Sequence, residues 1–339
     1  MLIGLIAPPW LPVPPPAYGG TESVIDRLAR GLVAAGHEVL LAAAANSTCP
    51  VDRVPGTEHA ADGAPAIGGA VTELRHVVTS YAAMADVDVI HDHTICGPVY
   101  PHHPADVAVV TTNHGPFDAV LTRFYRALRH VPVIAISHSQ ASTADGVDIA
   151  AVIHHGIDVA VVPERTGKGG YASFLGRMNP DKGPREAALI ARAAGVPLKM
   201  AAKLREPAER DYFDAAVRPL LCSDVEYVGE LGEADKLELV GDSFALLNPI
   251  QWPEPFGLVM IEALASGTPI VTTPAGSAPE IVEEGVTGYL RRGCAALADA
   301  LVAAADLDRG ACRTAAEARF TSQRMVRDHE RLYAGLLAR

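Results

Sequence analysis

Lysine is absent from the first 160 of the 339 residues. That stretch carries seven arginines against 15 aspartates and glutamates, and the whole chain has a formal net charge of -12. A phosphate backbone needs a basic footprint, so the balance argues against a nucleic-acid partner. Cysteine is sparse: five residues, Cys49, Cys96, Cys222, Cys294 and Cys312, with no CxxC pair. This excludes a disulfide framework and a cysteine zinc site, and points to reduced thiols in a cytoplasmic protein. No apolar run reaches the roughly 18–20 residues that a membrane-crossing helix requires. The apolar opening MLIGLIAPPW has no basic flank, so it reads as a buried first strand rather than a signal peptide. Neither GxGxxG nor a P-loop occurs, which disfavours a dinucleotide oxidoreductase. No short-period repeat is present, and the only biased tract is the proline cluster at 8–16.

What is present is a rhythm of apolar strands and amphipathic helices. LIGLIA (2–7) is a continuous apolar run, as a parallel strand buried on both faces requires. A helix is expected from about Thr21 to Ala35, stopped by Gly36, and HEVLLAAA forms a second strand. Further strands are expected at VDVIHDH, VAVVTTNH, VPVIAISH and AAVIHHG. The segment 158–170, rich in Pro, Gly and mixed charge, breaks the rhythm and reads as a linker. The pattern restarts with YASFLGRM, VPLKMAA, DVEYVGE, SFALLNPI and TPIVTTP, and a helix from about Ser322 closes the chain. Repeated βα units imply parallel, doubly wound sheets. Length and pattern together predict two α/β domains, 1–160 and 161–320, with a terminal helix at 321–339 that crosses back to the first. Ligands of such sheets bind beyond the carboxyl ends of the strands. All five lysines lie after residue 160, so an anion held by lysine is held in the second domain.

Five motifs carry the chemistry. In PEPFGLVMIEALASGTPIV (253–271), Glu254 sits between two prolines and so in a loop, whereas Glu262 lies within a helix predicted to start near Phe256. Their spacing is too long for an acid/base pair on one bond but suits two contacts on one extended ligand. The helix N-terminal amides of Phe256, Gly257 and Leu258 lie between them and favour an anion. In FLGRMNPDKGP (174–184), a strand ending at Gly176 lets phosphate approach the backbone, and Arg177 and Lys182 bring the charge for a diphosphate. In AYGGTE (17–22), Gly19 and Gly20 open a helix and make a second anion site. In TNHGP (112–116), His114 stands at a strand end. AGSAPEIVEEGVTGYL (275–290) places Glu280 at an expected helix start.

These motifs resemble glycosyltransferase family 4, retaining enzymes of GT-B fold, in which two Rossmann-like domains face a central cleft. The resemblance covers nearly the whole chain, most specifically residues 171–290. It implies that Glu254 contacts donor-sugar hydroxyls, Glu262 the ribose, Arg177 and Lys182 the donor diphosphate, Gly19 and Gly20 a donor phosphate, and that His114 lies near the transferred sugar. The VEYVGEL stretch resembles the segment leading to the nucleobase, which makes Glu230 and Leu231 the base-side residues. The implied reaction moves a sugar from a UDP- or GDP-type nucleoside diphosphate sugar to a hydroxyl acceptor, with no bound metal and no other cofactor. The chain also resembles antibiotic-tailoring members of the family, of the avilamycin-pathway type. HHGID departs from the family's usual N-G-V-D by placing His155 where Asn is common.

Two signals are discounted. His91 and His93 in HDH lie on one side of a strand, but spacing supplies no third ligand, so a strand-end or acceptor-side role is preferred over a metal. Arg123, Arg126 and Arg129 share a helical face that reads as solvated rather than as a membrane contact. The rival readings are a catalytically silent partner subunit and a nucleotide-sugar epimerase. The first is opposed by the presence of Glu254, Arg177 and Lys182 together, and the second by the paired glutamates.

Overall fold

The computed structural model describes residues 1–54, 69–128 and 130–338. Arg129, one of the three arginines considered above, lies outside the described residues. The chain forms two compact units, one of residues 1–156 and 322–339 and the other of residues 157–321.

The first unit is built on a seven-stranded sheet: β1 (Leu2–Ile6), β2 (Glu38–Ala42), β3 (Asp52–Arg53), β4 (Val89–Asp92), β5 (Ala108–Thr112), β6 (Val133–Ala135) and β7 (Ile149–Val152). The order is β3-β2-β1-β4-β5-β6-β7, and every pairing is parallel. β1 is apolar throughout because helices cover both sheet faces, and Ile3, Leu5 and Ile6 are fully buried. The first helix, Gly20–Ala34, buries Val24, Ile25, Leu28, Ala29 and Leu32, one stripe at helical spacing. The closing helix, Ser322–Leu337, packs on it: a Cβ at Gly31 would lie 2.5 Å from Val326, so only glycine admits that contact.

The second unit holds β8 (Ala172–Arg177), β9 (Leu198–Lys203), β10 (Val225–Gly229), β11 (Ala245–Asn248), β12 (Ile270–Thr272) and β13 (Gly288–Leu290). Its order is β10-β9-β8-β11-β12-β13, again all parallel. Strand order reverses between β1 and β4 in one sheet and between β8 and β11 in the other, and the crevice at such a reversal is where open α/β sheets bind ligands. β3 and β13 were not foreseen; two- and three-residue strands are too short to show a period. The segment 158–170, which opens the second unit, is packed against it. Val159 and Val162 are buried, Arg313 donates to both their carbonyls, and Arg165 pairs with Asp242, all inside the second unit. Glycine and proline there set turns, while the flanking valines and Arg165 anchor them.

Candidate active site

In the second unit the site is built at the ends of β8 and β11. After β8, Asn179 caps a single turn, Pro180–Lys182, by accepting the Lys182 amide. After β11, the chain makes a loop through Glu254 to the helix Leu258–Ala265. Glu254 and Lys182 are each 9% exposed and form an ion pair through Oε2 and Nζ. The Trp252 indole N–H donates to the same Oε2 at 2.8 Å, and Lys182 Nζ lies 5.7 Å from the centre of that ring. Two buried charges so matched are costly to separate: loss of one partner typically costs about 3–5 kcal/mol.

The loop is clamped along its length. The Gln251 amide donates to Asp181 O at 2.8 Å, Thr273 Oγ1 to Ile250 O at 2.6 Å and the Ser277 amide to Glu254 O at 3.0 Å. Ser277 Oγ also donates to Phe256 O. Gly276, at φ 57°, comes close, since a Cβ there would fall 2.2 Å from Glu254 O. The Glu254 carboxylate is therefore held before any ligand binds, as a functional group must be.

The sequence reading is corrected in two places. The helix starts at Leu258, not near Phe256, because Gly257 takes a left-handed φ of 85° and breaks the run. Phe256 is buried, with its ring 6.3 Å from that of Phe320 in a T-shaped pair. The helix-end amides begin at Gly257 and Leu258. β8 does not stop at Gly176 but runs through it to Arg177, pairing Gly176 with Ala202. A Cβ at Gly176 would meet the Lys182 stem at 3.4 Å, an ordinary contact.

Glu262 lies inside the helix, as expected, and accepts from Lys236 Nζ at 2.8 Å. Lys236 also pairs with Glu233 at 2.7 Å. Burial works to lower the Lys236 pKa, but the two carboxylates outweigh it and hold the ammonium above its ordinary value. Glu230 follows β10 and takes a two-point contact from Arg205, at 2.8 and 2.7 Å, and half-buried Leu231 comes next. Trp252 and Lys236 were missed. The first could have been suspected as one of only two tryptophans, two residues from Glu254; the second carries no local signal.

In the first unit, Gly19 caps the first helix and Gly20 begins it, with no side-chain cap on the opening amides. A Cβ at Gly19 would lie 2.6 Å from Pro15, so the proline-rich loop closes on this turn. Glu22, two residues on, is 6% exposed, and burial pushes its pKa up to about 7. A carboxyl that is half neutral near pH 7 leaves the turn's positive end less opposed. The motif contained Glu22, but its burial was not legible.

His114 follows β5, and its Nε2 lies 2.9 Å from Nδ1 of His93, which follows β4. His93 Nε2 is buried with no hydrogen-bond partner among the described residues. An orphaned lone pair is easier to bury than an orphaned N–H, so the proton belongs on His93 Nδ1, donating to His114 Nε2. His114 then keeps its own proton on Nδ1. Burial first, then His329, lowers the His114 pKa to about 4, so it is a neutral donor at pH 7. His91 is fully occupied, by Tyr333 OH and Thr112 Oγ1, each at 2.7 Å. With both ring nitrogens engaged, His91 is structural.

Residues 18–161 match the family model described as Glycosyltransferase Family 4, and residues 169–306 match that of Glycosyl transferases group 1. A phosphatidyl-myo-inositol mannosyltransferase of Mycolicibacterium smegmatis is 26% identical over 328 residues, 86% of this chain and 80% of that protein. A glycogen synthase of Mycobacterium tuberculosis is 28% identical over 385 residues, 94% of this chain and 89% of that protein. Among solved structures, AviGT4, a glycosyltransferase involved in avilamycin A biosynthesis, superposes with a TM-score of 0.77 at 28% identity, covering 99% of this chain and 98% of that one. Anabaena Alr3699/HepE in complex with UDP-glucose gives 0.76 at 20% identity, covering 99% and 100%, and shares the fold.

Proposed function

Because the chain belongs to glycosyltransferase family 4 and has the GT-B fold, we propose that this glycosyltransferase takes its sugar from a UDP-type nucleoside diphosphate sugar and retains the anomeric configuration. The observation that carries the reading is the Glu254–Lys182–Trp252 cluster set just ahead of a helix N-terminus. Glu254 is a fixed acceptor for sugar hydroxyls. Lys182, with Arg177 at the end of β8, supplies cationic charge for the diphosphate and for the leaving group as the glycosidic bond breaks. The amides of Gly257 and Leu258 add the positive end of the helix. Glu262 binds the ribose hydroxyls, releasing one of the Lys236 contacts, and the backbone at Glu230 and Leu231 meets the base. In the first unit, Gly19 and Gly20 contact phosphate, and His114 donates through Nδ1 to the transferred sugar.

The acceptor is a hydroxyl compound. The route is front-face: the departing phosphate takes the acceptor proton while the acceptor oxygen forms its bond to the anomeric carbon on the side the phosphate leaves. The chemistry needs no metal, since Arg177 and Lys182 carry the compensating charge. The relation to AviGT4 supports a place in antibiotic oligosaccharide assembly.

The test is a thermal-shift screen against UDP, GDP, ADP and TDP, in EDTA and in magnesium. A nucleotide that binds only the folded state raises the melting temperature. UDP is expected to give the largest shift, unchanged by EDTA and lost in Glu262→Ala. No shift with any nucleotide overturns the donor assignment.

A further inference from the structure

Within the second unit, a cavity of about 640 Å³ has Trp252 in its wall. Its volume falls in the range of small-molecule sites, about 300–1,000 Å³. Neither Glu254, Lys182, Arg177 nor Glu262 lines it. The walls are mostly apolar, with Leu189 and Ile190 from the helix Pro184–Ala194, Ile250 and Trp252 from the clamped loop, and Leu297 from the helix Cys294–Ala303. The charges at its margin are Arg185, Arg292 and Glu186. Glu186 is engaged by Arg185 at 3.2 Å, and Arg292 donates to the Pro274 carbonyl at 3.3 Å, which leaves the guanidinium's charge unmatched by that contact. The helix Cys294–Ala303 begins at the same margin with no acidic residue in its first turn and no side-chain cap. An apolar floor with net positive charge at one edge, on a protein of net charge -12, is a selective feature.

We propose that this cavity binds a small amphipathic anion, its flat apolar body against Trp252 and its carboxylate, sulfate or phosphate on Arg185 and Arg292. The site is separate from that of the donor. The two communicate through Trp252, which lines the cavity and donates its indole N–H to Glu254. An occupant that shifts the indole shifts the carboxylate assigned to the donor sugar.

The probe is anilinonaphthalene sulfonate, which has this chemistry, titrated into the full chain carrying Trp10→Phe so that Trp252 is the only tryptophan. Saturable binding with quenching of Trp252 emission is expected, and saturating UDP should leave the probe bound. Arg292→Glu and Arg185→Glu replace exposed side chains and are expected to fold as the parent does, checked by circular dichroism. Each should weaken the probe by about tenfold, the effect of losing one charge-assisted contact. Unchanged affinity in both variants, binding that leaves Trp252 emission unaltered, or competitive displacement by UDP would each overturn the proposal.

Discussion

Burial is the main force acting on the perturbed carboxyls and imidazoles of the first unit. Glu22 is the clearest case, lifted from 4.5 to about 7 by burial at the start of the first helix. The folded protein keeps a proton that the unfolded chain releases, so this residue's contribution to stability declines as pH rises from 4.5 to about 7 and stays low above that. Glu22→Gln removes the penalty. The variant should exceed the parent in stability by up to about 3 kcal/mol near pH 8 and match it below about pH 4, as read by urea unfolding. Equal stability at both pH values would contradict this. At this scale the sequence was informative where chemistry is local. Glu254 between prolines, Glu262 on the helix and Lys182 after a strand were all legible. Trp252, Lys236 and the His93–His114 pair were not, because each depends on a contact between separate loops or helices.

Among the elements, the loop 249–257 does most to shape the site. It carries Glu254, and its conformation is fixed from outside by Asp181, Thr273, Gly276 and Ser277. Gly276 has both a positive φ and no space for a Cβ, so Gly276→Ala must push the Glu254 backbone away. The expected result is a fall in transfer rate of about 100-fold, in keeping with the cost of a misplacement near 1 Å, while the protein still folds. A steady-state rate within twofold of the parent would show that the loop tolerates the shift. The strands were predictable because buried parallel strands are continuously apolar. The start of the helix after Glu254 was missed because a left-handed glycine looks, in sequence, like any helix-opening residue. The closing helix was readable from its period, and its place in the first unit rests on Val326, His329 and Tyr333.

For the whole molecule, the telling asymmetry is that, among the described residues, all 12 histidines belong to the first unit. Six of them, His76, His91, His93, His114, His155 and His329, have pKa values lowered chiefly by burial, to about 4 for His114 and His329. The five lowered farthest stay neutral when folded, and all six take up protons less readily folded than unfolded below 6.5. Their contribution to stability is complete above 6.5 and is lost as pH falls, at up to about 1.4 kcal/mol per pH unit for each. Glu22 and Asp92, both raised to about 7, oppose this, but they are two against six. Denaturant unfolding followed by Trp10 alone and by Trp252 alone reports on each unit. Between about pH 7.5 and pH 5 the first unit should lose far more stability than the second, and equal losses would contradict the argument.

The proposed division of labour in the second unit gives the sugar to Glu254 and the nucleotide diphosphate to Lys182, Arg177 and Glu262. Calorimetric titration of UDP and of UDP-glucose into the parent and into Glu254→Gln tests it most directly. Glutamine keeps an acceptor for Trp252 and Lys182, so the loop should stay in place. The parent is expected to bind the nucleotide sugar more tightly than UDP, and the variant to bind both alike at the parent's affinity for UDP. If the variant keeps the full preference for the nucleotide sugar, or loses UDP as severely as UDP-glucose, Glu254 does not recognise the sugar and the account of the site fails.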